Sequence, residues 1–141
     1  MANDGTENTR VLSLMSTCHL SQLMSRYGDK SRDNWYNELS PGEQQRLAWA
    51  RLLYHQPRLA VLDEATSGVS EDLEAVMYKE AIQLGISLVS VGHRGSLRQY
   101  HHQILVIGGQ HDGSWSLGSV EAYNSQRNLF VSSSSTINKS P

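Results

Sequence analysis

The 141 residues predict an α/β fold, a parallel sheet with flanking helices, from three features of the chain's middle. Leu59-Ala60-Val61-Leu62 is an unbroken apolar run, the pattern of a strand buried on both faces of a parallel sheet. Ser70 to Leu84 puts Leu73, Val76, Met77, Ala81 and Leu84 on one helical face. Ile86 to Val91 is a second apolar run, so the order is strand, helix, strand, the unit from which α/β sheets with crossover connections are built.

The totals set the bounds. An apolar content of 38% over 141 residues supplies one modest core and no second domain. A formal net charge of -2 leaves no basic field, which argues against nucleic acid as a partner. Cys18, the single cysteine, cannot close an intramolecular disulfide; it fits a reducing compartment or a cytosolic face and is expected to be inert. No window approaches the ~18 consecutive apolar residues of a membrane span, so any link to a membrane is expected to come through a partner or through sequence outside this chain.

Residues 1–9 are small and polar and are expected to be disordered, as is the Ser-rich tail at 119–141, leaving 10–118 as the folded part. Val11, Leu12, Leu14 and Met15, then Leu20, Leu23 and Met24, predict two short helices with a break near Thr17 to His19. Tyr27 to Asn37 reads as a loop. Ser40-Pro41-Gly42-Glu43 then predicts a helix start: Ser40 can accept from the Glu43 N–H, the Glu43 carboxylate can reach back to the Ser40 N–H, and Pro41 gives up a donor that the first turn does not use. That helix should run to about His55, with Leu47, Ala50, Arg51 and Tyr54 on one face, before Pro57 stops it. Gly85 closes the next helix, Gln103 to Ile107 reads as a third strand, and Trp115 to Leu117 as its hairpin partner. There are no internal repeats.

Asp63 and Glu64 end the first strand, where open α/β sheets place their ligands. Asp63 can hold Mg²⁺ while Glu64 orients or deprotonates a water, although such a pair can equally satisfy backbone donors in the following turn. The neighbouring segments favour chemistry. Asn37 to Arg46 (NELSPGEQQR) precedes the pair, Ala65-Thr66-Ser67-Gly68 follows it, and Ser90-Val91-Gly92-His93-Arg94 comes after the second strand. Together these strongly resemble the signature motif, Walker B strand, D-loop and H-loop of the ATP-binding cassette family, in that order. The Asn34-Trp35-Tyr36 lead-in and the Pro41-Gly42-Glu43 form of the signature look most like subfamily D, a group of fatty-acyl transporters with a cobalamin-transporting relative.

The resemblance implies a partial P-loop NTPase fold of the cassette type, covering 10–118, and an ATPase that uses ATP and Mg. It implies Asp63 as the Mg ligand, Glu64 and His93 as catalytic residues, and Ser40, Gly42 and Glu43 as contacts to the γ-phosphate of ATP held by a second cassette. Ser67 belongs to the D-loop. The implied partners are that second nucleotide-binding domain, as homo- or heterodimer, and a transmembrane domain. The implied location is the cytosolic face of a lysosomal, peroxisomal or ER membrane. Ser40 and the Gly42 N–H also sit at a helix N-terminus, where the dipole favours an anion.

This chain departs from the family pattern in places. Pro41 and Glu43 stand where Gly and Gln are usual, and the D-loop reads Ser67-Gly68-Val69-Ser70 where Ser-Ala-Leu-Asp is usual. No G-x-x-x-x-G-K-[ST] occurs, so the Walker A half is missing from these residues and an isolated chain is expected to be inactive. Two other classes stay open: a non-catalytic fragment lending its signature face to an intact cassette, and a cassette ATPase of DNA repair, which the low basic charge disfavours. His101, His102 and His111 lack metal-site company and read as solvated surface, while Trp35 and Trp49 read as packing residues.

Overall fold

The computed structural model describes residues 4–27, 35–107 and 115–125. The chain divides into two compact units, Met1–His93 and Arg94–Pro141.

The first unit begins with α1 (Asp4–Thr17) and α2 (Ser21–Tyr27), separated where expected by His19 at φ 53°. Helix α1 starts inside the stretch 1–9 that was expected to be disordered. Its polar residues gain order from a neighbour, which composition does not reveal. Tyr54 donates its hydroxyl hydrogen to the Glu7 carboxylate, and Arg10 donates to the Tyr54 carbonyl at 2.7 Å, with its guanidinium 5.0 Å from the Tyr54 ring centroid. Of the expected loop from Tyr27 to Asn37, residues 28–34 lie outside the described residues, and Trp35–Glu38 form a single helical turn, α3.

Helix α4 (Pro41–His55) carries the predicted capping box in full, and Gln56, in the left-handed region ahead of Pro57, ends it with its N–H on the Leu52 carbonyl. Its buried face is Trp49, Ala50 and Leu53, rotated from the expected set of Leu47, Ala50, Arg51 and Tyr54. The largest ring decides this. Trp49 is 2% exposed and packs on Tyr78 with centroids 5.0 Å apart, so it takes the inward position.

Strand β1 (Leu59–Asp63) pairs in parallel with β2 (Ser87–Val91), in a register that sets Ala60 opposite Leu88 and Asp63 opposite Val91. Helix α5 (Glu71–Gln83), capped by Ser70, connects them, and Gly85 at φ 73° makes the turn into β2. Leu73, Met77, Tyr78 and Ala81 of α5 are buried, whereas the expected Val76 and Leu84 are 41% and 39% exposed. The Tyr78 hydroxyl shares a hydrogen bond with Ser90 Oγ at 2.9 Å, fixing α5 against β2.

Burial on both faces, expected for β1, is not what this chain achieves. Ala60 and Leu62 are buried, but Leu59 and Val61 on the other face are 58% and 70% exposed, and Val89 and Val91 beside them are 50% and 56% exposed. An apolar run reports that a strand can be covered twice; it does not say that both covers lie within the chain.

In the second unit a 3₁₀ helix (Gly95–Tyr100) leads to β3 (Gln103–Ile107), antiparallel to β4 (Trp115–Ser119) as expected. The ordered part extends past 118, into the tail expected to be disordered: residues 120–125 are helical, and Ser119 Oγ accepts from the Ala122 N–H at 3.1 Å, a local cap that a Ser-rich composition conceals. Residues 126–141 lie outside the described residues, as does His111. His101 is half-buried rather than solvated, and burial, reinforced by the neighbouring His102, lowers its pKa. Among the described residues no group of His, Cys, Asp or Glu is placed to hold a metal by itself, and no helix is long and apolar enough to cross a membrane.

Candidate functional site

The carboxyl ends of β1 and β2 lie side by side and bring two of the expected residues together. The Glu64 N–H donates to the Val91 carbonyl at 3.0 Å, extending the ladder one residue past β1. Glu64 itself sits at φ 46°, a left-handed conformation that costs a non-glycine residue about 1–3 kcal/mol and persists only where its surroundings enforce it. That turn aims the carboxylate across to the next strand. His93, two residues beyond β2, places Nε2 3.1 Å from Glu64 Oε1 with its ring 90% exposed. Asp63 is exposed, and its carboxylate has no partner among the described residues.

The second cluster is the start of α4. Ser40 donates to Glu43 Oε2 through both its N–H and its hydroxyl, each at 2.9 Å, and Ser40 Oγ accepts from the Glu43 N–H at 3.3 Å. Arg26 of α2 binds the other carboxylate oxygen. The Glu43 carboxyl is held below its usual range, first by the Ser40 N–H, then by the Ser40 hydroxyl, with the Arg26 charge a smaller cause. The carboxylate that sequence reading treats as a departure is therefore neutralised where it stands.

The two clusters touch. A Cβ added at Gly42 would lie 2.9 Å from the Gly68 carbonyl oxygen, so only glycine lets the first turn of α4 approach the segment after β1 this closely. Gln45 bridges the gap: its amide nitrogen reaches the Glu64 carbonyl at 3.1 Å and Ser67 Oγ at 2.8 Å, and its amide oxygen accepts from the Gly68 N–H at 2.8 Å. One turn further on, the Trp49 indole N–H donates to the Ala65 carbonyl at 3.0 Å. Below, Thr66 donates to the fully buried Glu74 at 2.7 Å. Sequence reading missed Arg26, Gln45, Thr66 and Glu74. The spacing of Gln45 four residues before Trp49, hence on the same helical face, was the one available signal. Trp49 is a packing residue as expected; the Trp35 side chain lies outside what the structure describes.

A helix whose capped start meets a turn carrying paired carboxylates, with a histidine arriving from the neighbouring parallel strand, belongs to the nucleotide-handling α/β proteins of the P-loop NTPase type. The chain belongs to the ABC transporter family: the family model "ABC transporter" matches residues 3–67, and the similar curated proteins include members of subfamily D. It is 45% identical over 118 residues to the lysosomal cobalamin transporter of Mus musculus, covering 82% of this chain and 19% of that protein. It is 46% identical over 114 residues to the lysosomal cobalamin transporter of Homo sapiens, covering 79% and 18%. It is 40% identical over 130 residues to ABC transporter D family member 2, chloroplastic, of Arabidopsis thaliana, covering 86% and 18%. The chain thus spans less than a fifth of the length of these relatives.

Proposed function

We propose that this segment works as the signature, Walker B, D-loop and H-loop part of an ATP-hydrolysing cassette that powers transport across an organelle membrane. The observation that carries the reading is the 3.1 Å contact between His93 and Glu64 at the paired ends of β1 and β2. A part-buried carboxylate beside a histidine can accept a proton from a water while the imidazole holds that water and a phosphate oxygen in line. Asp63, a hard oxygen donor without another partner, suits Mg²⁺, which takes one or two carboxylates and completes its shell with phosphate and water. Bound Mg-ATP supplies the phosphoryl group and its charge neutralisation. Ser40, Gly42 and Glu43 form the start of α4 that receives the γ-phosphate held by a second cassette, with Ser67 at the contact between the two. Arg26 offsets the Glu43 charge there.

In this reading the partners are a second nucleotide-binding domain, identical or different, and a transmembrane domain. The chain lies on the cytosolic face of a lysosomal, peroxisomal or ER membrane, and the cargo is cobalamin or a fatty-acyl compound, with the cobalamin transporters among the similar proteins favouring the former. The 141 residues act as part of a larger cassette whose phosphate-binding loop lies elsewhere. The test is Glu64→Gln in a full-length protein carrying that loop: turnover should fall by about 10²–10⁴-fold with ATP binding retained, because the base is lost while Asp63 and the side-chain size are kept. Loss of binding together with turnover would make Glu64 structural and refute the assignment.

A further inference from the structure

Gln45 lies inside the Asn37–Arg46 stretch but is given no role of its own by the resemblance, yet it makes three of the hydrogen bonds joining α4 to the turn after β1. Its amide is used at both ends: the nitrogen donates to Glu64 O and Ser67 Oγ, and the oxygen accepts from the Gly68 N–H. The glycine at 68 makes this arrangement fit, since a Cβ there would lie 3.0 Å from Gln45 Oε1 and 3.4 Å from the Gly42 Cα. Gln45 lies five residues after Ser40 in the same rigid helix, so a displacement at the capped start of α4 is carried to its side chain. At the other end of the amide is the main chain of Glu64, whose left-handed backbone is held by few contacts: the Gln45 amide on its carbonyl, its own N–H on Val91, and the Ser67 N–H on its carbonyl at 3.1 Å.

We propose that Gln45 is a positioning residue that couples the start of α4 to the D-loop and to the backbone of Glu64, so that engagement of a phosphate by Ser40 is transmitted to the hydrolytic carboxylate of the same chain. This rests on the proposed ATPase reading for its consequence, but not for the coupling itself. In a head-to-tail pair of cassettes, Ser40 faces the nucleotide of one site and Glu64 that of the other, so Gln45 is the link by which occupancy of one site adjusts the base in the other.

The coupling is measured in the 141-residue chain by amide hydrogen exchange, with α5 amides at Leu73, Met77 and Ala81 as the control for global folding. Gln45→Ala should speed exchange at both Ser67 and Gly68 by about tenfold or more and leave the α5 amides unchanged. Gln45→Glu keeps an acceptor for the Gly68 N–H and loses both amide donors, so Gly68 should stay within about twofold of wild type while Ser67 speeds up. This second variant decides the matter if the alanine variant unfolds. Ser40→Ala should speed Gly68 exchange in the wild-type background and have no further effect alongside Gln45→Ala. An equal effect of Ser40→Ala with and without Gln45, or unchanged Ser67 exchange in Gln45→Glu, overturns the proposal.

For the reaction, the full-length mouse relative with its matching stretch replaced by this chain provides the turnover assay. Gln45→Glu should lower kcat severalfold with KM for ATP within about twofold. A matching rise in KM would make Gln45 a nucleotide-binding residue instead and overturn the positioning role. If the chimera with Gln45 intact hydrolyses no ATP, the ATPase reading fails, while the exchange experiment still decides the coupling.

Discussion

Val61 and Leu62 are sequence neighbours on opposite faces of β1, 70% and 8% exposed respectively, and truncating each to alanine separates the covered face from the open one. Leu62 is buried, and a buried leucine cut to alanine costs about 2–5 kcal/mol, its lost transfer energy plus the cavity left behind. Val61 keeps less than a third of its surface covered, and a fully buried valine is worth about 1.5 kcal/mol or somewhat more, so its truncation should cost about 0.5 kcal/mol. With a urea m value of about 1–3 kcal/mol/M, the midpoint should fall by about 0.7–5 M for Leu62→Ala and by no more than about 0.5 M for Val61→Ala, a ratio of at least about four at any one m value. Urea titrations followed by circular dichroism read both. Equal losses would refute the one-sided burial of β1 and mean that another surface covers Leu59, Val61, Val89 and Val91. The same logic predicts that amides of Leu59 to Leu62 and Leu88 to Val91 gain protection from exchange when an amino-terminal cassette half is supplied in trans. Equal protection in the isolated chain would make this a self-sufficient domain and sink the fragment reading.

The 141-residue chain should bind Mg-ATP weakly or not at all, since no phosphate-cradling loop motif occurs in it; low-micromolar affinity by calorimetry would contradict this. The Glu43 carboxyl is held below its usual range, so its contribution to stability is present above pH ~4.3 and is lost as pH falls through its lowered folded value. Exchange at the Ser40 amide should therefore accelerate in that acid window in the wild type and show no such step in Glu43→Gln. Burial raises the Cys18 thiol to about 11, so it should resist thiol reagents at pH 8 until the chain is unfolded; its contribution to stability is complete below ~8.5 and declines toward about 11. Fast labelling of the folded chain at pH 8 would show that Cys18 is not shut away from solvent.

The chain's local chemistry wrote much of this molecule into its sequence. Ser40, Pro41 and Glu43 specify the start of α4 because capping involves only groups within four residues of one another, and the structure reproduces the box bond for bond. The break at His19, the span of α5, the two parallel strands and the β3–β4 hairpin were legible for the same reason: turn residues and hydrophobic period act over one or two turns of chain. Asp63, Glu64 and His93 could be singled out, but their meeting could not, because the 3.1 Å contact depends on the β1–β2 register and on a left-handed Glu64 that no propensity favours. Tertiary structure alone decided the rest. The order of α1 from Asp4 comes from Tyr54, which is 47 residues away from Glu7; the clamp at Gln45 exists because Gly42 and Gly68 let two backbones approach; and the open face of β1 reflects which surfaces are present to cover it. Each is a relation between distant parts of the chain, whereas pattern and propensity describe only what lies close along it.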